Sequence, residues 1–66
     1  ELDQALVELE ALDAEKARMV EYRYLLGCTA EEAADLMGCS KATLDRGVRF
    51  ARTWLYRRLR GAELAP

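Results

Sequence analysis

A chain of 66 residues makes one small domain, which buries only about 60% of the surface its unfolded form exposes. Leucine, alanine and valine dominate the apolar residues and the one proline closes the chain, a composition that favours helices. With a net charge of −2, no histidine and two cysteines, the chain lacks the ligands of a four-coordinate zinc site, and no apolar run reaches the about 18 residues of a membrane span.

The first predicted helix covers residues 2–12. Leu2, Ala5, Leu6, Leu9 and Leu12 recur at steps of three and four and form one apolar stripe. Asp13 has the side chain of an N-cap, an acceptor for the open amides of a new helix. That second helix is expected over 14–26, with Ala17, Val20 and Tyr24 inward, joined by Met19 and Leu26. Gly27 is its expected C-terminal stop, since glycine tolerates the left-handed turn.

Thr29 and Glu32 form a T-x-x-E capping box that opens a short third helix, residues 30–37. Ala33, Ala34 and Met37 make its inner face, and the small Ala34 lets the next helix cross close by. Gly38 permits a tight turn, Cys39 plugs it from the apolar side, and Ser40 caps the fourth helix, expected over 40–60. At 100° per residue, Leu44, Val48, Ala51, Leu55 and Leu59 share one face and form the core stripe. Ala42, Asp45, Arg46, Arg49, Thr53, Arg57 and Arg60 lie opposite. Phe50 and Trp54 share a flank, with Trp54 expected to serve the core. Gly47, in mid-helix, costs about 1 kcal/mol relative to alanine, a cost consistent with close approach of another backbone or of DNA. Residues 61–66 are expected to form a frayed tail. Cys28 and Cys39 read as small apolar residues in a reducing cytoplasm, with a disulfide as the other option. The chain starts at Glu1 without a methionine, as a piece of a longer protein would, and no signal-peptide pattern is visible.

The charge is sharply divided. Residues 1–39 hold ten acids and three bases, net −7, whereas residues 40–66 hold two acids and seven bases, net +5. Such asymmetry points to nucleic-acid contact, or to a solvated basic helix that balances acidic neighbours. Together with the short helix, the glycine turn and the basic last helix, it predicts an all-α four-helix domain carrying a helix-turn-helix over residues 1–60. In that motif the second helix enters the major groove with its N-terminal residues at base edges. Lys41, Thr43, Arg46 and Arg49 are the donor-rich side chains so placed, and arginine can pair with both O6 and N7 of guanine. Ser40 and Thr29 stand at helix N-termini, where open amides can hold phosphates. Asp45 is awkward there: it can accept from a cytosine amino group or pair with Arg49 one turn on, and the pair is favoured. Catalysis is not expected, and neither is a cofactor or metal. No histidine is present, no cysteine has a base beside it, and no glycine-rich phosphate loop follows a strand.

The residues from Leu12 to Leu59 resemble the region 4 domain of bacterial RNA polymerase sigma factors of the extracytoplasmic-function (ECF) type. The likeness is strongest in TAEEAADLMGCS, Thr29 to Ser40, and in SKATL followed by RFARTWL, which together span Ser40 to Leu55. The resemblance implies an all-helical cytoplasmic domain that recognises the −35 promoter element in double-stranded DNA through its last helix. It also implies docking on the β flap of the polymerase core, with anti-sigma factors as further partners. Carried over by position, Lys41, Ala42, Thr43, Asp45, Arg46 and Arg49 would read the promoter, with Ser40 and Thr29 on phosphates. Three residues depart from the family pattern: Lys41 stands where proline is frequent, Asp45 where a basic residue is common, and Gly47 where a charged one is. Two other readings stay open. One is the helix-turn-helix domain of a response regulator, which dimerises through its last helix. The other is a helical protein-interaction module whose basic helix never touches DNA.

Overall fold

The computed structural model describes residues 1–64, with side-chain environments through residue 61. Among the described residues four helices follow in order: α1 (Leu2–Leu12), α2 (Ala14–Val20) continued by a π-helical turn (Glu21–Leu25), α3 (Ala30–Met37) and α4 (Lys41–Leu64). α4, 24 residues long, spans roughly 36 Å at 1.5 Å per residue. It sets the 42 Å long axis of a molecule only 19 and 18 Å across, and the other helices pack along it.

Side-chain caps start α2, α3 and α4, whereas Glu1 makes none for α1. The Asp13 carboxylate accepts from the Lys16 amide at 3.1 Å and from Lys16 Nζ at 2.9 Å. Thr29 Oγ1 accepts from the Glu32 amide at 3.1 Å while Glu32 returns the bond to the Thr29 amide at 2.8 Å, so the expected capping box is complete. Ser40 Oγ accepts from the Thr43 amide at 3.1 Å and opens α4. Gly27 (φ 72°) and Gly38 (φ 70°) take the left-handed conformation, and among the described residues only glycines have it.

The α4 core stripe serves two clusters. Ala51 and Leu55, with Leu59 and Trp54 beside them, pack on Ala5 and Leu9 of α1 and Ala17 and Val20 of α2. Leu44 and Val48 pack on Met19 of α2 and on Ala33 and Ala34 of α3. Thus α2 lies between the two clusters and crosses α4 near Gly47. A Cβ built on Gly47 would sink into Met19 Sδ and lie 3.3 Å from its Cε. The mid-helix glycine is therefore explained by the close approach of α2. A second tie reaches across the fold: Arg58 donates from Nε and Nη2 to the two Glu8 oxygens at 2.6 and 2.8 Å, fastening α1 to α4.

Three expectations need correction. The second helix does not stay α-helical to residue 26. After Val20 its bonds lengthen to the i→i+5 pattern, with the Leu26 amide on the Glu21 carbonyl. The extra residue in that turn shifts the helical phase, so Tyr24 and Leu26 face solvent and the half-buried Tyr22 joins the core instead. Leu2 and Leu12 are also exposed, because only the middle of α1, at Ala5 and Leu9, is covered by α2 and α4. α4 begins at Lys41 and continues past residue 60 to Leu64, so the start of the expected tail is helical. The rest of that expectation, Ala65 and Pro66, lies outside the described residues. Cys28 and Cys39 are free and half-buried. Both pack against the cluster of Met19, Ala33, Ala34, Leu44 and Val48, as small apolar residues would, and the disulfide option is not taken.

Candidate nucleic-acid interface

α3 and α4 are joined by the turn Gly38–Ser40, and Cys39 closes it by donating its amide to the Ala34 carbonyl at 3.0 Å. The buried Ala33 and Ala34 let α3 lie against Leu44 and Val48, which fixes the opposite face of α4 outward. Thr29, Ser40, Lys41, Ala42, Thr43, Asp45, Arg46 and Arg49, the residues singled out in the sequence, are all exposed.

The outward face carries a hydrogen-bonded chain. Ser40 Oγ donates to Thr43 Oγ1 at 3.0 Å, and Arg46 Nη2 donates to the same oxygen at 3.4 Å. Lys41 Nζ lies 3.0 Å from Asp45 Oδ2. This corrects the expected Asp45–Arg49 pair. Cα–Cβ bonds in a helix tilt toward its N-terminus, so the short Asp45 side chain leans into the turn that carries Lys41. The hydrogen bond to Asp45, and then the charge of that carboxylate, hold the Lys41 ammonium above its ordinary pKa of 10.5. Among the described residues Arg46 and Arg49 have no carboxylate partner.

Beside this face a shallow groove runs between the π-helical turn and α4, lined by Arg23, Tyr24, Asp45, Arg49, Arg52 and Tyr56 among others. Arg23 and Arg52 lie 5.4 and 5.8 Å from the Tyr24 ring centroid, within cation–π range. Arg23 Nη1 also donates to the Cys28 carbonyl at 2.7 Å, which ties the loop before α3 to the end of α2. In the sequence Arg23 is one of only three bases in the acidic half. Its available signal was its position as the last base before Gly27, but the π-helical turn that swings it against α4 left no periodic trace.

On the other side of α3, Leu26, Gly27, Cys28, Glu32, Asp35 and Leu36 line a second shallow depression. Leu26 and Leu36 are 68% and 60% exposed, apolar surface beside Glu32 and Asp35 of the sort that marks contact surfaces. Among the described residues no group of acidic and cysteine side chains could hold a metal ion, and no helix is long and apolar enough to cross a membrane.

Comparison with curated proteins and with solved structures returned no significant match. The family model of ECF sigma factors matches residues 1–61, nearly the whole chain. The helix order, the outward basic face and this match agree: the chain belongs to the ECF sigma factor family, transcription regulators that work with RNA polymerase on promoter DNA rather than enzymes.

Proposed function

We propose that the chain is the C-terminal, region 4 domain of a cytoplasmic sigma factor, and that it directs transcription initiation by reading the −35 promoter element. α3, the Gly38–Ser40 turn and α4 act as a helix-turn-helix. The N-terminal half of α4 enters the major groove, where Lys41, Ala42, Thr43, Asp45, Arg46 and Arg49 meet base edges. The open amides at the starts of α3 and α4, beside Thr29 and Ser40, take backbone phosphates. Arg23 and Arg52 extend the basic surface along the groove. The observation that carries this reading is that Arg46 and Arg49, with no carboxylate partner among the described residues, stand on the outer face of the first three turns of α4 while α3 braces the inner face. The apolar surface of Leu26 and Leu36 beside Glu32 and Asp35 supports a separate docking site for the β flap of the polymerase, and anti-sigma factors would compete for these surfaces.

The test replaces Lys41, Arg46 and Arg49 together by alanine. Duplex binding, followed by fluorescence anisotropy, should be lost while the circular dichroism spectrum and the capture of an isolated β flap are kept. Loss of flap capture with unchanged DNA binding would instead favour a protein-interaction module. A palindromic preference in the wild-type protein would favour the dimeric response-regulator reading.

A further inference from the structure

On the outer face of α4, from Lys41 through Arg60, Asp45 is the one carboxylate among bases. It is half-exposed and sits one turn after Lys41, with Arg46 beside it and Arg49 one turn further on. A carboxylate so placed lowers affinity for any duplex, since it faces phosphates. Lys41, at 3.0 Å, offsets part of that charge but leaves Asp45 Oδ1 without a partner among the described residues. An ionised carboxylate only accepts hydrogen bonds. In the major groove, guanine presents O6 and N7 and thymine presents O4, all acceptors that repel it. Adenine offers an amino donor, but beside the N7 acceptor. Cytosine alone offers the N4 amino group with no acceptor on its own edge.

We propose that Asp45 is a specificity-determining residue that selects cytosine at one position of the target duplex. Oδ1 accepts from the cytosine N4 amino group while Oδ2 stays on Lys41. The inference rests on the promoter-reading function proposed above. It also gives a role to the acid that stands where the family pattern has a base: affinity is exchanged for discrimination, because the O6 of guanine or O4 of thymine at that position meets a like-signed carboxylate oxygen.

The experiment selects duplexes from a randomised pool at low salt with the wild-type protein, Asp45→Ala and Asp45→Asn. In the wild type one position should favour cytosine by roughly tenfold over guanine and thymine, the scale of one good base contact. Asp45→Ala should flatten that position alone and raise affinity for unrelated duplexes. Asp45→Asn should move it toward adenine, whose N6 and N7 suit an amide. Because Asp45 contributes nothing to the core, both variants should keep the wild-type helix signal. A wild-type profile that the two variants leave unchanged would overturn the role of Asp45 and leave promoter reading intact. A wild-type protein that enriches no sequence would overturn both.

Discussion

Gly47→Ala offers a direct probe of the α2–α4 crossing. In an open helix the change should stabilise the protein by about 1 kcal/mol through helix propensity. Here the new methyl would overlap Met19 Sδ. Met19 is flexible, but it is only 3% exposed and enclosed by Ala33, Ala34, Leu44 and Val48, so it must move within a filled core. Overpacking of this kind costs about 1–3 kcal/mol. The net expectation is a loss of about 0–2 kcal/mol, which for a domain of this size lowers Tm by up to roughly 15 °C. Met19→Ala alone should cost about 2–5 kcal/mol. In that background Gly47→Ala should change sign and stabilise by about 1 kcal/mol, because the obstructing sulfur is gone. The four proteins can be compared by urea unfolding followed at 222 nm, with an excluded osmolyte present so that Met19→Ala stays folded. If Gly47→Ala stabilises both backgrounds by the same full amount, no close approach exists at this point and the explanation of the glycine is wrong.

Two further predictions concern helix starts and long-range ties. Thr29→Ala removes the acceptor of the capping box and should cost about 1 kcal/mol, seen as a Tm lower by about 4–8 °C; no change would mean that α3 is held by packing alone. The Arg58 hydrogen bond, with its charge, holds the Glu8 carboxyl below its ordinary pKa of 4.5. A depressed carboxylate stabilises the fold above its unfolded pKa, and that contribution is lost as pH falls through the folded value. Glu8→Gln should therefore be less stable than wild type at pH 7, and the difference should close in acid below pH 4.5; a gap that stays constant with pH would show that the pair adds nothing through its charge.

The parts of the fold legible in the sequence were those governed by neighbours within four residues. Asp13, Thr29 with Glu32, and Ser40 start helices through their own side chains, and their pattern is local. The α4 stripe was legible for the same reason, since Leu44 to Leu59 repeat at the helical period. The π-helical turn was not, because nothing in EYRYL distinguishes an i→i+5 turn from an i→i+4 turn until Tyr22 finds the core. The tail was expected from residue 61, yet α4 passes through Gly61, where nothing lies within 4 Å of an added Cβ. The meaning of Gly47 lies on α2, and the partner of Arg58 lies 50 residues away; neither has a local signature. At the interface, the exposed positions followed from the helical period, whereas the choice of Lys41 over Arg49 by Asp45 depended on the lean of one short side chain.

The most direct test of promoter reading by α4 is the salt dependence of duplex binding by the intact chain. If about four phosphates are neutralised, log K against log salt should fall with a slope of roughly −3 to −4, and each basic residue removed from the α4 face should make it shallower by about one unit. A slope near zero, unchanged when Arg46 and Arg49 become alanine, would contradict a DNA-binding role for this face.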